Sequence, residues 1–523
     1  MADSDFALGE RVALACIECY RALPQTGKPT GEREWTVLAG VALVDDEASG
    51  RPLQVVAIGS GTKCLPASVA DADATGLRTR DGHAEVCARR AFRRYLCAQL
   101  RAHFDEEPSV VEAVGAADGA GARYRLRPSL TVVFFSSASP CGDASLFART
   151  ASAEAGACSA ACAETEGGDD DGGGARAKRM RLGAEASAAE PEERVPSTVG
   201  QTGGGGVSAA VGASLALAIS RTPGASVPGA VQRKPGRGEV TRSVSCSDKL
   251  ALWAVLGLQG AVLSHLLRPI QLDVFVVGGV ACAHALDRAS WGRLQVEAGA
   301  PDWVQGPFRP KRMRLVALSP SAALATPPPP TPSDAASGPL ATIAEAAGRV
   351  AAAALAERIV CDVQQPPGAG TSSSNSLNWS AAPAPGTSEA VNGLSGLKLG
   401  ANKHKLSRKH GSRLSKFSFF GDVLELCARA PAGTLPEPIG ECLLRADLTY
   451  RAAKDAAADY QRLKSCLLRA DGPLSGWTRS PPELDGFLKT TNVASAGAHA
   501  ALPTITVKQA GESLTHAVSA GTD

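Results

Sequence analysis

Two long tracts of small and polar residues interrupt the chain, and they constrain its fold more than any single motif. The first runs from about residue 151 to 232 and holds an acidic-glycine run at 167–174 and four glycines at 203–206. The second runs from about 319 to 375, with four prolines at 327–330 and three serines at 372–374. A tail, 491–523, has the same character. Such segments bury too little apolar surface to offset the entropy of ordering them. They are expected to be disordered insertions and a disordered tail. Three blocks remain, near 1–150, 233–318 and 376–490, about 350 residues in all. No block is self-sufficient, so they are expected to form one discontinuous domain, from about residue 7 to 488. Although 44% of the 523 residues are hydrophobic, only 4% are aromatic. Much of the apolar count is therefore alanine in the tracts.

Within the blocks, strand and helix patterns alternate. Residues 37–44, 53–59, 130–136 and 272–279 are β-branched or apolar runs of strand length. Residues 83–104 have a helical pattern, and 248–267 read as a mainly apolar, buried helix. This alternation implies an α/β layered fold. No apolar run approaches the ~20 residues that span a bilayer, and the N-terminal residues lack the pattern of a secretory signal. The fourteen cysteines have no regular spacing, which suits free thiols in a reducing, intracellular compartment. Cys16 and Cys19 form a Cys-x-x-Cys without thioredoxin-like surroundings and are read as packing residues. His103, His265 and His284 lack companions and are read as structural. The net charge of +2 decides nothing about nucleic acid, because local patches govern binding.

Three short segments carry chemistry: Asp81-Gly82-His83-Ala84-Glu85, Ser139-Pro140-Cys141-Gly142-Asp143 and Ser245-Cys246-Ser247-Asp248-Lys249. Each ligand candidate is expected at a helix N-terminus, where free amides and the helix dipole favour a thiolate. One histidine and two cysteines give Zn²⁺ three protein ligands and leave a fourth position for water, whose pKa falls toward ~7. Glu85, two residues past His83, can face that water without binding metal. This is the His-x-Glu and Pro-Cys-x-x-Cys pattern of zinc nucleobase deaminases. There is one departure: Ala144 stands where the second cysteine of Cys-x-x-Cys would fall, so the second thiolate must come from elsewhere.

In order and combination these segments resemble the RNA-editing adenosine deaminase domain. So do Gly61-Thr62-Lys63-Cys64, Lys234-Pro235-Gly236-Arg237-Gly238 and the stretch from Trp253 to Gln259-Gly260. The resemblance implies a cytidine-deaminase-like three-layer α/β/α core with extra C-terminal helices. It also implies roles: zinc on His83, Cys141 and Cys246; Glu85 as proton shuttle for attack at C6 of adenosine; Thr62 and Lys63 near the target nucleotide; Asp81 and Lys249 in a polar relay. Gly27-Lys28-Pro29, Glu34-Trp35-Thr36 and Trp477-Thr478-Arg479-Ser480-Pro481-Pro482 are similar to the branch of the family that acts on tRNA. With only 82 residues before His83, no separate module for double-stranded RNA is expected. The implied substrate is the adenosine 3′ of the anticodon in alanine tRNA. Other readings are deamination of a different structured RNA, or a silent RNA-binding protein that keeps the fold.

Relatives in this family also bury inositol hexakisphosphate. On a single helix over 450–468, Tyr450, Lys454, Tyr460, Gln461 and Lys464 share one face. Two unpaired ammonium groups on a packed face would cost several kcal/mol each, and an internal polyanion removes that cost. Arg89, Arg90, Lys249, Lys416 and Trp477 match further family contacts. Basic clusters at 309–314 and 403–413 are candidate RNA contacts, whose affinity would fall with salt. The run 175–181, Ala-Arg-Ala-Lys-Arg-Met-Arg, is a short basic patch that would suit nuclear entry; nucleus and cytoplasm both stay open.

Overall fold

A computed structural model describes residues 2–30, 34–115, 124–146, 227–236, 239–294, 308–318, 371–382, 387–402, 406–431, 433–435 and 439–488. Seven strands form the main sheet: β1 (Leu38–Asp45), β2 (Leu53–Ser60), β3 (Leu130–Ser136), β4 (Val274–Val277), β5 (Arg314–Ala317), β6 (Asn375–Ser380) and β7 (Thr387–Asn392). Their order is β5-β4-β3-β1-β2-β6-β7. The β3, β4 and β5 strands are mutually parallel, and every other pairing is antiparallel.

Alternation along the strands sends side chains to two faces. Phe135, Val133, Val274 and Val276 pack beneath helix α1 (Ala2–Ala22) with Leu8, Val12, Cys16 and Ile17. Phe134 and Phe275 face the opposite layer, with Val41 and Val56. That layer holds α2 (Ala84–Phe104), α3 (Cys246–Leu256), α4 (Ala283–Ser290), α5 (Lys416–Arg429), α6 (Tyr450–Asp455) and α7 (Ala458–Leu468). The result is the expected α/β/α layering with additional C-terminal helices. Helix α2 lies so close to β2 that a Cβ on Gly59 would fall 2.3 Å from the Ala88 nitrogen and 2.6 Å from the Ala84 oxygen. Only glycine allows this approach.

Several expectations are corrected. The apolar run 248–267 is not one helix. It stops at Gly257, whose φ of 76° ends α3, and resumes only as a 3-10 turn at Leu263–His265. Tyr450–Leu468 also divides, at Ala456 and Ala457, into α6 and α7. Thr371–Ser372, placed in the second insertion, is a short strand parallel to Glu34–Trp35, and β6 starts at Asn375. Their serines carry no apolar alternation, because the pairing there is made by backbone. The rest of that insertion, most of the first, the tail and the 175–181 patch lie outside the described residues. Cys16 is buried as a packing residue, and His265 is structural, with Nε2 2.8 Å from the Ala453 carbonyl. Among the described residues, no helix is long and apolar enough to cross a membrane.

Candidate active site

His83 ends a two-stranded ribbon, Thr62–Cys64 against Asp81–His83, and is the N-cap of α2. Glu85 therefore sits in the first turn of that helix, fully within the protein. Cys141 lies in the loop after β3, five residues past Ser136. It precedes only a 3-10 turn, Asp143–Ser145, rather than the helix expected there. Cys246 opens α3, which is capped by Ser245 and Asp248 in a reciprocal box.

These three segments, far apart in the chain, converge. His83 Nδ1 lies 3.7 Å from Cys141 Sγ and 3.7 Å from Cys246 Sγ. Tetrahedral zinc with ordinary Zn–N and Zn–S bonds places such atoms about 3.6 Å apart. The donor set therefore fits zinc in both chemistry and spacing. Glu85 Oε2 is 3.2 Å from Cys246 Sγ, beside this triad and outside it. Backbone groups hold the cysteines in place: the Cys246 amide donates to Cys141 Sγ at 3.3 Å, and the Ser247 hydroxyl donates to the Cys141 carbonyl at 2.9 Å.

The charges are arranged around one thiolate. The hydrogen bond from Cys246 holds Cys141 well below the ordinary thiol range against the opposing effect of burial, helped by Lys234 and His83. Burial lifts the Glu85 carboxyl above its ordinary value, and the Cys141 thiolate adds to this. A carboxyl raised in this way holds a proton more readily than an exposed one, which suits a group that must take and return one.

Cys64, Asp81 and His83 also lie near one another, but Asp81 is already engaged. Lys234 Nζ donates to its two oxygens at 3.1 and 3.0 Å, and Lys249 Nζ pairs with it as well. Burial opposes ionisation of Asp81, yet these two ammonium groups hold it well below the carboxylate range. Lys234 also donates to Cys246 Sγ at 3.2 Å. The sequence reading quoted Lys234 in a motif and gave it no role. Nothing in the sequence sets a lysine before a turn apart from a surface lysine, although its side chain is only 1% exposed.

Thr62 pairs with His83 across the ribbon, and its hydroxyl is buried without a partner. The Lys63 ammonium bonds the Ser372 hydroxyl.

Behind Asp81 lies a second cluster. Arg90 Nη1 donates to the Asp81 carbonyl at 2.8 Å. A cavity of about 20 Å³ opens among Arg90, Arg93, Arg94, Lys416 and Tyr450. Lys416 and Lys454 both pair with Asp485. Burial, helped by Arg80 and Lys454, pushes Lys416 down to about 7 despite Asp485, and Lys464 falls to about 8 by burial and then Lys454. Arg89 lies over the Trp253 ring and Arg93 over Phe419. The buried Nε of each, and Nη1 of Arg80, have no hydrogen-bond partner. Tyr450 and Tyr460 are buried nearby, with Phe308 against Tyr460. Gln461 is placed differently from the single-helix expectation: its amide donates to the Lys454 carbonyl across the break between α6 and α7. Trp477 packs at the edge of the core. Arg80, Arg93 and Asp485 were not foreseen. For Arg93 the signal was present, since Arg89 and Arg93 are four apart and share a helix face.

The basic cluster at 309–314 is largely neutralised. Lys311 pairs with Asp273, Arg312 with Asp287 and Arg314 with Asp5. Arg413 is spent on Asn378 and Ser380, and residues 403–405 lie outside the described set.

A mixed α/β sheet presenting a His-x-Glu helix to two cysteine loops defines a deaminase of the cytidine-deaminase-like fold. The adenosine-deaminase (editase) domain family matches residues 57–481; the chain belongs to that family and is an enzyme acting on adenosine. It is 28% identical to tRNA-specific adenosine deaminase 1 of Mus musculus and 29% identical to that of Homo sapiens. Each alignment covers 91% of this chain and 99% of the relative. Double-stranded RNA-specific editase B2 of Mus musculus is 25% identical over 86% of this chain and 47% of its own length.

Proposed function

We propose that this enzyme converts adenosine to inosine in a transfer RNA, at the adenosine 3′ of the anticodon in alanine tRNA. The observation that carries the reading is the meeting of His83, Cys141 and Cys246 beside a buried Glu85. The near-complete coverage of relatives named as tRNA-specific supports the choice of RNA. His83, Cys141 and Cys246 would hold zinc, which when bound supplies the Lewis acidity that makes water a nucleophile near neutral pH. Glu85 takes one proton from the attacking water and delivers it to the purine ring, then takes the second from the new C6 hydroxyl and delivers it to the departing amino group. C6 gains the water oxygen, the C6–N bond breaks and ammonia leaves. Asp81, clamped by Lys234 and Lys249, fixes the start of α2 by accepting the His83 amide at 3.0 Å. Thr62 and Lys63 would meet the target nucleotide. An anticodon loop presents unstacked bases, so little energy is spent on exposing the adenine.

The cluster around Lys416 would take inositol hexakisphosphate. Its buried cations and orphan N–H donors suit the acceptor oxygens of a polyphosphate. The free space is that of about one water, so to hold the anion Lys416 and Lys454 would have to turn from Asp485.

The test is sequencing of alanine tRNA incubated with purified protein. Inosine beside the anticodon is expected. Editing confined to long duplexes, or RNA binding without inosine, would overturn the assignment. Cys246→Ala should lose both metal and activity.

A further inference from the structure

Two aspartates repeat one position: Asp143 lies two residues after Cys141, and Asp248 two residues after Cys246. Both are fully buried. Each is met by an arginine from one stretch of chain, 283–294, formed by α4 and the 3-10 turn Gly292–Leu294. Arg288 Nε donates to Asp143 Oδ1 at 3.0 Å, and its Nη2 donates to the Asp143 and Leu146 carbonyls, each at 3.0 Å. Arg293 Nη1 donates to Asp248 Oδ1 at 2.6 Å. The other oxygen of Asp248 accepts from the Ser245 amide, the Ser245 hydroxyl and the Gln232 amide. Both cysteine segments are thus tied to the same support. Leu286, Ala289, Trp291 and Leu294 anchor that support in the main core.

Stability alone does not account for the arrangement. A buried ion pair is often no more stabilising than apolar residues of the same volume. Here Asp143 Oδ2 and the Nε and Nη2 of Arg293 are also buried without partners, which costs further free energy. What the two pairs do supply is position. The Ser247 hydroxyl and the Cys246 amide already join the two cysteine segments to each other. The arginines join both to a third, rigid element, so the sulfurs cannot drift as a pair.

We propose that residues 283–294 form a brace whose two arginines, Arg288 and Arg293, hold the joined Cys141 and Cys246 segments in place in the core and so govern metal retention. They are positioning residues, and the proposal rests on the zinc reading above. Partners that orient metal ligands typically change metal affinity about 10- to 100-fold when removed. Removing either arginine alone would strand a buried carboxylate, so each change is made with the matching amide: Arg288→Met with Asp143→Asn, and Arg293→Met with Asp248→Asn. Arg312→Met, which removes the partner of Asp287 on the same helix, is the control.

The full chain is loaded with zinc, and the rate of zinc capture by a chromogenic chelator is followed. Cobalt-loaded protein is measured in parallel for its thiolate-to-metal absorption. Both double variants should release zinc about 10- to 100-fold faster and shift the cobalt band, while Arg312→Met matches the parent. Parent-like release and an unshifted band in the double variants, with zinc retained by the parent, would overturn the brace and leave the metal reading intact. A parent that holds no zinc would overturn both. Should the Arg293 pair fail to fold, the Arg288 pair decides alone, because Arg288 is 24% exposed and tolerates replacement better.

Discussion

Glu85 and Lys234 show how little of a side chain's role is carried by its identity. The Glu85 carboxyl is raised by burial and by the neighbouring Cys141 thiolate, so it binds a proton more readily than a surface glutamate does. Glu85→Gln keeps shape and hydrogen bonding but cannot carry a proton. Turnover should fall by about 10²- to 10⁴-fold with zinc content unchanged, read by inosine formation and by metal analysis of the same sample. Lys234 is a buried cation bonded to Asp81 and to Cys246 Sγ. Lys234→Met leaves Asp81 with Lys249 alone and should cost about 3 kcal/mol of stability, measured by urea unfolding. Lys249→Met should cost less, because Lys249 is 16% exposed. The motif His83-Ala84-Glu85 was legible in the sequence because its spacing is its chemistry. Lys234 was not, because its value comes from two partners 153 and 12 residues away.

Helix α2 carries Glu85 at its start and Arg89, Arg90 and Arg93 further along, so its seat on β2 aligns both sites at once. That seat depends on Gly59. Gly59→Ala drives a methyl into the α2 backbone and should lower stability by about 1–3 kcal/mol, the usual cost of overpacking. Gly421→Ala, inside α5 with open space around it, should instead stabilise by about 0.5–1 kcal/mol. Thermal unfolding of the two variants separates packing from propensity. Element type was readable where periodicity was strong, as in 130–136, which is β3 residue for residue. Element ends were less so. The pattern in 248–267 stays apolar past Gly257, and burial on all sides hides the stop; Ala456 and Ala457 break 450–468 with two good helix formers.

For the whole molecule, the buried cations of the C-terminal helices tie stability to pH and, on the proposed function, to a polyanion. In polyanion-free protein, folded Lys416 releases its proton at about 7 and folded Lys464 at about 8, against 10.5 for an ordinary lysine. Between these values the unfolded chain binds more protons, so stability rises with pH. The unfolding temperature of stripped protein should therefore climb from about pH 7 to about pH 10. Inositol hexakisphosphate should raise it at pH 7, adding about 2.7 kcal/mol of stability at a hundredfold excess over Kd, and flatten the climb by keeping both ammonium groups charged. A stripped protein with no such slope would show that these lysines are not confined as described. The sequence by itself determined the alternation of strands and helices and marked the three segments around His83, Cys141 and Cys246 as the ones that carry chemistry, because period and short-range spacing are local properties. Only the tertiary structure decided how closely Cys246 and Cys141 approach His83, that Lys234 grips both Asp81 and a sulfur, and that Arg288 and Arg293 reach the two cysteine segments. Each of those depends on distances between residues far apart in the chain, and such distances exist only after the core has packed.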